Sequence, residues 1–383
     1  MSFSLSPELQ QLRESARSFA EREVASVAEE AERTETMPRH LFAKAGRAGF
    51  IGMRYPSDLG GSDAGISAEV LWREECSRVN AGIASALSVS GNIGSYPIFE
   101  FGTPEQAKTY IPKVTSGEWI GAFALTEPGA GSDVQGIAST AERRNGGWVL
   151  NGRKMFITCA PSADFFVFTA YTDRSLGYSG IANFIVDRDR LPEDAVRPLK
   201  TLGHRSSELG EIVVDSVQVP DDALIGEPTG GFKRAARTLN GGRLIVAGGS
   251  LGTAQAALEA SVEYAKQREA FGHPIGDFQA VSFRIAQMAA EVESARVTTY
   301  WAASLWDEGR ETPREVSIAK LIASETAVRV ASESMRTFGG YAYIAGEFPI
   351  ERIMRDSRMY VIVEGTTDVQ HLILARQLGL KPR

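Results

Sequence analysis

Cysteine and histidine are scarce in this chain of 383 residues, which contains 2 cysteines and 4 histidines. Cys76 and Cys159 are far apart and lack the spacing of a metal site, and so few cysteines are typical of proteins from a reducing compartment. The histidines are scattered and form no HxxxH or HExxH pair: His40, His204, His273 and His371. The sequence therefore predicts no metal site and no nucleophile activated by histidine.

Long apolar runs and an excess of positive charge are also missing. No window approaches the roughly 18 uninterrupted apolar residues of a membrane-spanning helix, so none is predicted. The formal net charge is −7 and no basic stripe offsets it, so we expect no binding to nucleic acid or to a membrane surface. The N-terminal residues include acidic side chains and lack a basic segment followed by an apolar one, from which we expect a cytoplasmic location.

What is present is typical of a globular protein, with 43% hydrophobic and 23% charged residues at a length that predicts about two or three domains. Residues 1–120 are expected to form a helical domain. Ser6 and Pro7 fit the start of a helix, and the apolar residues that follow recur on one face. Turn-forming residues at 55–65 precede a second helical stretch at 67–100.

Residues 121–231 change to the pattern of a β domain. Asn151-Gly152 lies between two β-prone runs and predicts a hairpin turn. Further runs rich in β-branched and aromatic residues follow at 164–171, 181–186 and 211–219. Because no helical segment separates these runs, they favour an antiparallel sheet or barrel over a doubly wound α/β domain.

Residues 232–383 return to helical spacing. Apolar residues step by three or four positions through 281–302, and again through 316–330 after Pro313. Long amphipathic helices with short Gly/Pro connections predict a four-helix bundle. The predicted fold class is therefore α+β multidomain: an N-terminal α-helical domain, a central antiparallel β-barrel and a C-terminal four-helix bundle.

The glycine-rich stretch at 123–133 carries the strongest chemical signal. Its small residues let backbone approach a planar or phosphorylated ligand, and the hydroxyls of Thr126 and Ser132 add hydrogen-bond donors. It has neither the GK[ST] of a Walker A loop nor the GxGxxG of a Rossmann unit. Taken alone, the stretch is more typical of a polar turn.

Five motifs together resemble the acyl-CoA dehydrogenase family and occur in the family's order. They are TEPGAGSD at 126–133, NGRKMFIT at 151–158, QREAFG at 267–272, Gly339-Gly340 and VEGTTDVQ at 363–370. The family's helical domain, β-barrel and helical bundle agree with the three segments described above. The resemblance implies a homotetramer, or a dimer, with FAD held between the barrel and the bundle.

The resemblance also implies which residues bind the cofactor. Five of them would surround the flavin ring: Phe123, Thr126, Ser132, Phe156 and Thr158. Arg268 and Phe271 would reach the FAD of a neighbouring subunit, although Arg268 alone would be interpreted as a solvated charge. The diphosphate would lie near Gly339 and Gly340, and the adenosine half near Thr366.

Glu364 matches the family's catalytic base. Removal of an α-proton and a β-hydride from an acyl thioester needs a carboxylate opposite the flavin, and the apolar residues 361–363 predict a raised pKa for Glu364. In isolation, a carboxylate at a helix start would be the simpler interpretation. Some relatives carry the base at the position of Gly242, which leaves Glu364 without a competitor. The implied substrate contacts are Ser132, Arg243 and Gly365.

Several positions depart from the family's motifs and leave the substrate open. They are Cys159, Arg336, Ala342 and Val363. Cys159 and Val363 are expected near the acyl pocket, whereas Arg336 could pair with a phosphate. In glutaryl-type relatives a cation anchors a second carboxylate, but the corresponding stretch here, 82–89, contains no charge.

The resemblance implies an FAD-dependent acyl-CoA dehydrogenase of fatty acid metabolism that forms a trans-2-enoyl thioester and passes electrons to an electron-transferring flavoprotein. A flavoprotein of the same fold could instead act on a carrier-protein thioester in biosynthesis, or use oxygen as an oxidase or monooxygenase. A non-catalytic acyl-binding assembly is a remote alternative. Glu364 argues against the oxygenase and the non-catalytic protein, because neither needs a base for an α-proton.

Overall fold

The N-terminal part of the chain is helical in the computed structural model, which describes residues 5–382. As predicted, Ser6 caps the first helix by accepting a hydrogen bond from the Leu9 backbone N at 3.3 Å, and Pro7 is its first residue. The helices are α1 (Pro7–Phe19), α2 (Ala25–Thr34), α3 (His40–Arg47), α4 (Gly65–Val79), α5 (Ala81–Gly91), α6 (Tyr96–Phe101) and α7 (Pro104–Thr115). A single π-helical turn, Ala20–Val24, joins α1 to α2.

The predicted helical stretch at 67–100 is divided among α4, α5 and α6. Asn80 causes the first division, because its backbone is extended and its side-chain oxygen accepts a hydrogen bond from the Ile83 backbone N at 2.9 Å. This is the usual geometry of a residue that ends one helix and caps the next.

The middle of the chain forms a β domain, as predicted, but its sheet is mixed. The strands are β1 (Gly121–Ala124), β2 (Thr140–Arg144), β3 (Gly147–Thr158), β4 (Phe165–Tyr171), β5 (Ile181–Asp187), β6 (Val196–Pro198), β7 (Leu209–Pro220) and β8 (Leu224–Ile225). Their order is β6-β7-β3-β2-β4-β5-β8, with β1 also paired to β4. The expectation of a purely antiparallel sheet is wrong for β1–β4 and β2–β4, which are parallel. Long connections rather than hairpins join these pairs, and parallel neighbours require such crossovers.

The hairpin predicted at Asn151-Gly152 is also wrong. β3 runs straight through both residues, with a register shift between Leu150 and Gly152 in its pairing with β7. The turn lies instead at Asn145-Gly146, where both residues have positive φ, 21° and 81°. Two Asn-Gly pairs lie six residues apart in the sequence, and the local pattern cannot decide which of them turns.

The C-terminal part forms the predicted helical bundle. Its helices are α8 (Gly231–Gln267), α9 (Gln279–Asp307), α10 (Pro313–Phe338), α11 (Ile350–Tyr360) and α12 (Thr367–Gln377), and a ribbon of β9 (Glu269–Ala270) and β10 (His273–Pro274) follows α8. Pro313 begins α10 as predicted. None of the helices described is long and apolar enough to cross a membrane.

Close contact between α4 and α8 joins the two helical parts. A Cβ atom on Gly248 would lie 2.6 Å from the carbonyl oxygen of Val70, so only glycine permits this approach. Val70, Leu244 and Ile245 are buried together in the shared core. This packing fixes the middle of α8, where Gly242 and Arg243 lie.

Candidate active site

The loop between α11 and α12 places Glu364 in an unusual backbone conformation. Glu364 and Gly365 have φ angles of 56° and 91°, in the left-handed region that non-glycine residues seldom adopt. Three side chains hold the loop. Arg243 Nε donates to the carbonyl oxygen of Glu364 at 2.8 Å, while Lys320 Nζ and Gln370 Nε2 donate to that of Gly365 at 2.9 and 3.0 Å.

The Glu364 carboxylate itself lies against Gly242. A Cβ atom on Gly242 would be 2.7 Å from Glu364 Cδ, so glycine leaves the space that the carboxylate fills. Glu364 Oε2 is buried and has no hydrogen-bond partner among the described residues. Burial raises the pKa of Glu364 to about 7, against the opposing charges of Arg243 and Lys320. The shift has the direction that the sequence predicted.

Arg243 is turned toward the loop that carries Glu364. It is 9% exposed, and its Nη1 donates to Asn240 Oδ1 at 2.6 Å in addition to the bond to the Glu364 carbonyl. Desolvation lowers the pKa of Arg243, and the charge of Glu364 opposes this. Its contact with a substrate stays a prediction, whereas its contact with the loop is direct.

Thr366 acts in this chain as the N-cap of α12. Its hydroxyl accepts a hydrogen bond from the Val369 backbone N at 3.3 Å. The cap follows Gly365 directly, so the left-handed pair at 364–365 ends where regular helix begins. The predicted contact of Thr366 with the adenosine half stays a prediction.

A second group of predicted residues meets in the β domain. The backbone N of Met155 donates to the carbonyl oxygen of Thr126 at 2.8 Å, which joins the glycine-rich loop to β3 beside Phe156. Phe156 is 60% exposed and has a φ angle of 61°. Thr158 is half-buried and Ser132 is exposed. Phe123 differs from the other members because it is 8% exposed and packs in the hydrophobic core.

A buried ion pair that the sequence analysis missed lies beneath this group. Lys154 Nζ donates to Glu127 Oε1 at 2.7 Å and to the carbonyl oxygen of Leu125 at 3.0 Å. Glu127 also accepts hydrogen bonds from Ser139 and from the Ala138 backbone N. The only sequence signal was that both residues lie inside the recognised motifs, at 126–133 and 151–158.

The third group lies at the end of the bundle. The Arg268 guanidinium lies 5.6 Å from the centre of the Tyr341 ring, while Phe271 is 94% exposed with a φ angle of 55°. Gly339, which has a φ of 61°, ends α10, and a Cβ on it or on Gly340 would meet no atom within 4 Å.

Arg336, which departs from the family's motif, is held by its own helix. It donates twice to Glu333, with both distances 2.9 Å, in an exposed ion pair one turn away. Phosphate pairing by Arg336 would have to compete with this carboxylate.

The three groups are distinct within one chain. Glu364, Gly365, Arg243 and Gly242 form one group, and the glycine-rich loop with β3 forms another. No hydrogen bond or ion pair between the described residues joins the Arg268–Phe271 segment to either of them. The exposure of Phe271 is consistent with the expectation that this segment acts on a neighbouring subunit.

Comparison with protein families covers all three parts of the chain. Family models described as acyl-CoA dehydrogenase N-terminal, middle and C-terminal domains match residues 6–118, 122–217 and 229–379. The chain belongs to the acyl-CoA dehydrogenase family. It is therefore an oxidoreductase of this family, as the resemblance implied.

Relatives of this acyl-CoA dehydrogenase family member are similar over nearly their whole length. An acyl-CoA dehydrogenase of Bacillus subtilis (strain 168) is 40% identical over 367 residues, which cover 96% of this chain and 97% of that protein. The CarC subunit of the caffeyl-CoA reductase-Etf complex of Acetobacterium woodii is 40% identical over 369 residues, with 96% and 97% covered.

Solved structures share the fold of the whole chain. A glutaryl-coenzyme A dehydrogenase in complex with glutaryl-CoA superimposes with a TM-score of 0.96 at 36% identity, covering 100% of this chain and 98% of that one. A structure described as an FAD-dependent dehydrogenase has a TM-score of 0.91 at 28% identity, covering 100% of both chains. The three-part fold class is confirmed, and the cofactor of this family is FAD.

The residues present fit FAD. Phe156 presents an exposed ring from a conformation that its backbone does not favour, which is typical of a side chain held for contact with a ligand. A Cβ atom on Gly129 or Gly131 would meet nothing within 4 Å, so the loop leaves open space in front of its backbone. Of the three hydroxyl residues assigned to the flavin, Ser132 is exposed and Thr126 and Thr158 are half-buried.

Proposed function

We propose that this enzyme converts a saturated acyl-CoA to the trans-2-enoyl-CoA, with Glu364 as the catalytic base. The observation that carries this proposal is the state of the Glu364 carboxylate. Its loop is held through backbone carbonyls by Arg243 and Lys320, while Oε2 is buried and unpartnered. A carboxylate fixed by its backbone, with a free oxygen, is suited to take a proton from a substrate.

The proton and the two electrons of the reaction have separate destinations. The α-proton of the thioester goes to Glu364, and bound FAD supplies the acceptor for the hydride that leaves Cβ. A pKa of about 7 suits the base, because the carboxylate is substantially ionised near neutral pH and still gains driving force from its raised basicity.

We assign the cofactor and substrate contacts to the groups described above. Around the flavin ring we place Phe123, Thr126, Ser132, Phe156 and Thr158, of which the buried Phe123 has the least direct support. Gly339, Gly340 and Thr366 are assigned to the diphosphate and adenosine. Ser132, Arg243 and Gly365 are assigned to the acyl-CoA.

We further propose that the substrate is a monocarboxylic acyl-CoA. The stretch 82–89 within α5 contains no charged side chain, and burial of an unpaired distal carboxylate against it would cost several kcal/mol. The similarity to a glutaryl-CoA dehydrogenase therefore extends to the fold without extending to this substrate.

Three further assignments rest on the relatives and on the resemblance. The A. woodii relative is named as part of an Etf complex, and we propose an electron-transferring flavoprotein as the electron acceptor here. We propose a homotetramer, or a dimer, in which Arg268 and Phe271 contact the neighbouring subunit's FAD. The domain boundaries near 120 and 231, and the cytoplasmic location, stay predictions.

The reverse reaction, reduction of an enoyl-CoA, is a second candidate. It is favoured by the pKa of Glu364, because a carboxyl that is about half protonated at neutral pH can also donate the α-proton. The relative named as a caffeyl-CoA reductase is as similar as the dehydrogenase.

The test is a screen of anaerobic flavin bleaching with the purified holoenzyme. The panel contains butyryl-CoA, octanoyl-CoA, glutaryl-CoA and butyryl thioester on an acyl carrier protein, and a parallel reduced sample receives crotonyl-CoA. We expect a monocarboxylic acyl-CoA to bleach the flavin fastest. Bleaching by none of the thioesters would contradict dehydrogenation, and faster bleaching by glutaryl-CoA than by butyryl-CoA would contradict the substrate assignment. Faster reoxidation by crotonyl-CoA than bleaching by butyryl-CoA would favour the reductase.

A further inference from the structure

Lys320 is a buried lysine whose hydrogen-bond partner is a backbone carbonyl. It lies in the middle of α10, is 0% exposed, and donates from Nζ to the carbonyl oxygen of Gly365 at 2.9 Å. Among the described residues it forms no ion pair with a carboxylate. Burial of an ammonium without a bonded carboxylate is costly, and an apolar side chain of similar length would fill the same space.

The charged groups around Lys320 lie either in the loop between α11 and α12, called here the base loop because it carries Glu364, or on the helices that contact this loop. Glu364 and Arg243 face it from the loop and from α8, and Glu325 faces it from the next turn of α10. The Glu325 carboxylate accepts a hydrogen bond from Thr367 at 2.9 Å, at the start of α12. Desolvation lowers the pKa of Lys320 to about 8, so the ammonium still carries its charge at neutral pH.

Lys320 therefore contacts the base loop at the residue after Glu364. Gly365 has a φ of 91°, and its carbonyl receives both Lys320 and Gln370. Arg243 holds the preceding carbonyl, that of Glu364. Arg243 and Lys320 thus fix the two successive backbone carbonyls of this left-handed turn, and neither of them bonds to the side-chain carboxylate of Glu364.

We propose that Lys320 is a positioning residue for the proton transfer: it fixes the Gly365 carbonyl, and its positive charge stabilises the ionised form of the Glu364 carboxylate. This inference rests on the proposed function, because it takes Glu364 as the base. The bond sets the direction of the carboxylate, and the positive charge opposes the effect of burial. If Lys320 bonded to the carboxylate instead, its charge would still oppose the effect of burial. The bonded carboxylate would then be held in its ionised form and could not take up a proton.

The test compares Lys320→Met with Lys320→Arg. For both holoenzymes, flavin reduction by butyryl-CoA, or by whichever acyl-CoA bleaches fastest, is measured anaerobically over a pH range of about 5 to 9. Loss of the charge in Lys320→Met is expected to move the acid limb of the rate upward by about one pH unit. At the acidic end of the range, the rate of flavin reduction in Lys320→Met is then about tenfold below that of the wild type. In Lys320→Arg the acid limb is expected to stay at the same pH, with a lower maximal rate.

A second buried lysine provides the matched control. Lys154 is equally buried and its pKa is also lowered to about 8, but it bonds to Glu127 in the β domain. Lys154→Met is expected to weaken FAD retention and to leave the acid limb of the remaining holoenzyme unmoved. A limb that moves equally in both lysine variants would contradict a specific role for Lys320.

Infrared titration provides a readout without turnover. The carboxyl band that disappears in Glu364→Gln reports the ionisation of Glu364 directly, and in Lys320→Met it should titrate at higher pH. An unmoved band and an unmoved limb would overturn the inference. If Lys320→Met does not fold, Lys320→Gln replaces it in both measurements, because glutamine keeps a hydrogen-bond donor and removes the charge. The acid limb and the infrared band should then both move to higher pH.

The inference can fail without the proposed function. If Glu364→Gln stops flavin reduction while the Lys320 variants leave the limb in place, Glu364 is the base and Lys320 only packs. If Glu364→Gln reduces flavin at the wild-type rate, the proposed function is wrong.

Discussion

Two glutamates of this enzyme, the buried Glu127 and the half-buried Glu364, have a buried lysine nearby, and the pKa values of their carboxyl groups are shifted in opposite directions. In the β domain, Lys154 bonds directly to the Glu127 carboxylate, which also accepts bonds from Ser139 and the Ala138 backbone N, and the pKa of Glu127 is lowered despite burial. In the bundle, Lys320 bonds to a backbone carbonyl, and burial raises the pKa of Glu364 to about 7.

The difference lies in where the donors of each lysine go. A cation that bonds to the carboxylate fixes it in the ionised form and satisfies its lone pairs, which makes the pair structural. A cation that bonds to the backbone beside the carboxylate still acts through its field but leaves the oxygens free. The same two residue types therefore form a structural ion pair at one place and leave a carboxylate with a free oxygen, the proposed proton acceptor, at the other.

The comparison is tested most severely by Glu364→Gln. The substitution keeps the size of the side chain and removes the proton acceptor, so folding and FAD content should survive. We expect flavin reduction to slow by about 10²- to 10⁴-fold, as is typical for loss of a general base. Stopped-flow absorbance under anaerobic conditions measures it, and reduction at the wild-type rate would place the base elsewhere.

Glu127→Gln should affect stability instead of chemistry. It leaves the Lys154 ammonium buried without a carboxylate, and breaking such a pair lowers the free energy of unfolding by about 3 to 5 kcal/mol. Urea denaturation of the apoprotein measures this change. Glu142→Gln, at an exposed pair with Arg144, is the control and should change it by less than about 1 kcal/mol. Equal effects of the two variants would show that the Glu127 pair is not structural.

Gly242→Ala asks whether the space beside Glu364 matters. The added Cβ would be 2.7 Å from Glu364 Cδ, so the carboxylate has to move, and a misplacement of this kind costs about 10²-fold in rate. Gly241→Ala is the control on the same helix, because its Cβ would lie 3.2 Å from the end of Arg54 and would otherwise make ordinary contacts with Ile66 and Trp306 at 3.6 and 3.7 Å. The rate of flavin reduction is compared in the two variants, and a similar rate in both would contradict the observed packing.

The pH dependence of kcat/KM gives the smallest of these effects. Glu364 must be ionised to accept the proton, and its pKa of about 7 means that protonation removes the active form as the pH falls. We expect kcat/KM to fall about tenfold for each pH unit below 7. Glu127 contributes nothing in this range because its pKa is lowered. A constant kcat/KM down to pH 5 would mean that no group of raised pKa acts as the base.

The sequence predicted the regular helices and strands, whose residues follow a periodic or compositional pattern. The long helices α9 and α10 follow from their apolar spacing, and the strands β4, β5 and β7 follow from their composition. The turn at Asn145-Gly146 was missed because an identical dipeptide lies six residues later inside a strand. Choosing between them depends on pairing with β7, which is far away in the sequence.

Only those site residues that lie within sequence motifs could be predicted. Glu364 and its raised pKa could be inferred from the resemblance and from apolar neighbours. Lys320 could not be, because a lysine in an amphipathic helix is usually a solvated charge, and its partner here is a backbone carbonyl 45 residues away. No sequence pattern encodes such a contact.

The left-handed backbone at Phe156, Phe271 and Glu364 has a consequence for directed evolution of this enzyme. Substitution of any of these residues by glycine would raise the free energy of unfolding by about 1 kcal/mol or more, because glycine adopts this conformation without strain. A library selected only for thermal tolerance would therefore accumulate glycine at these three positions. It would discard, in the same step, an aromatic ring assigned to the flavin, another assigned to the neighbouring subunit and the proposed base, so heat resistance and turnover have to be selected together.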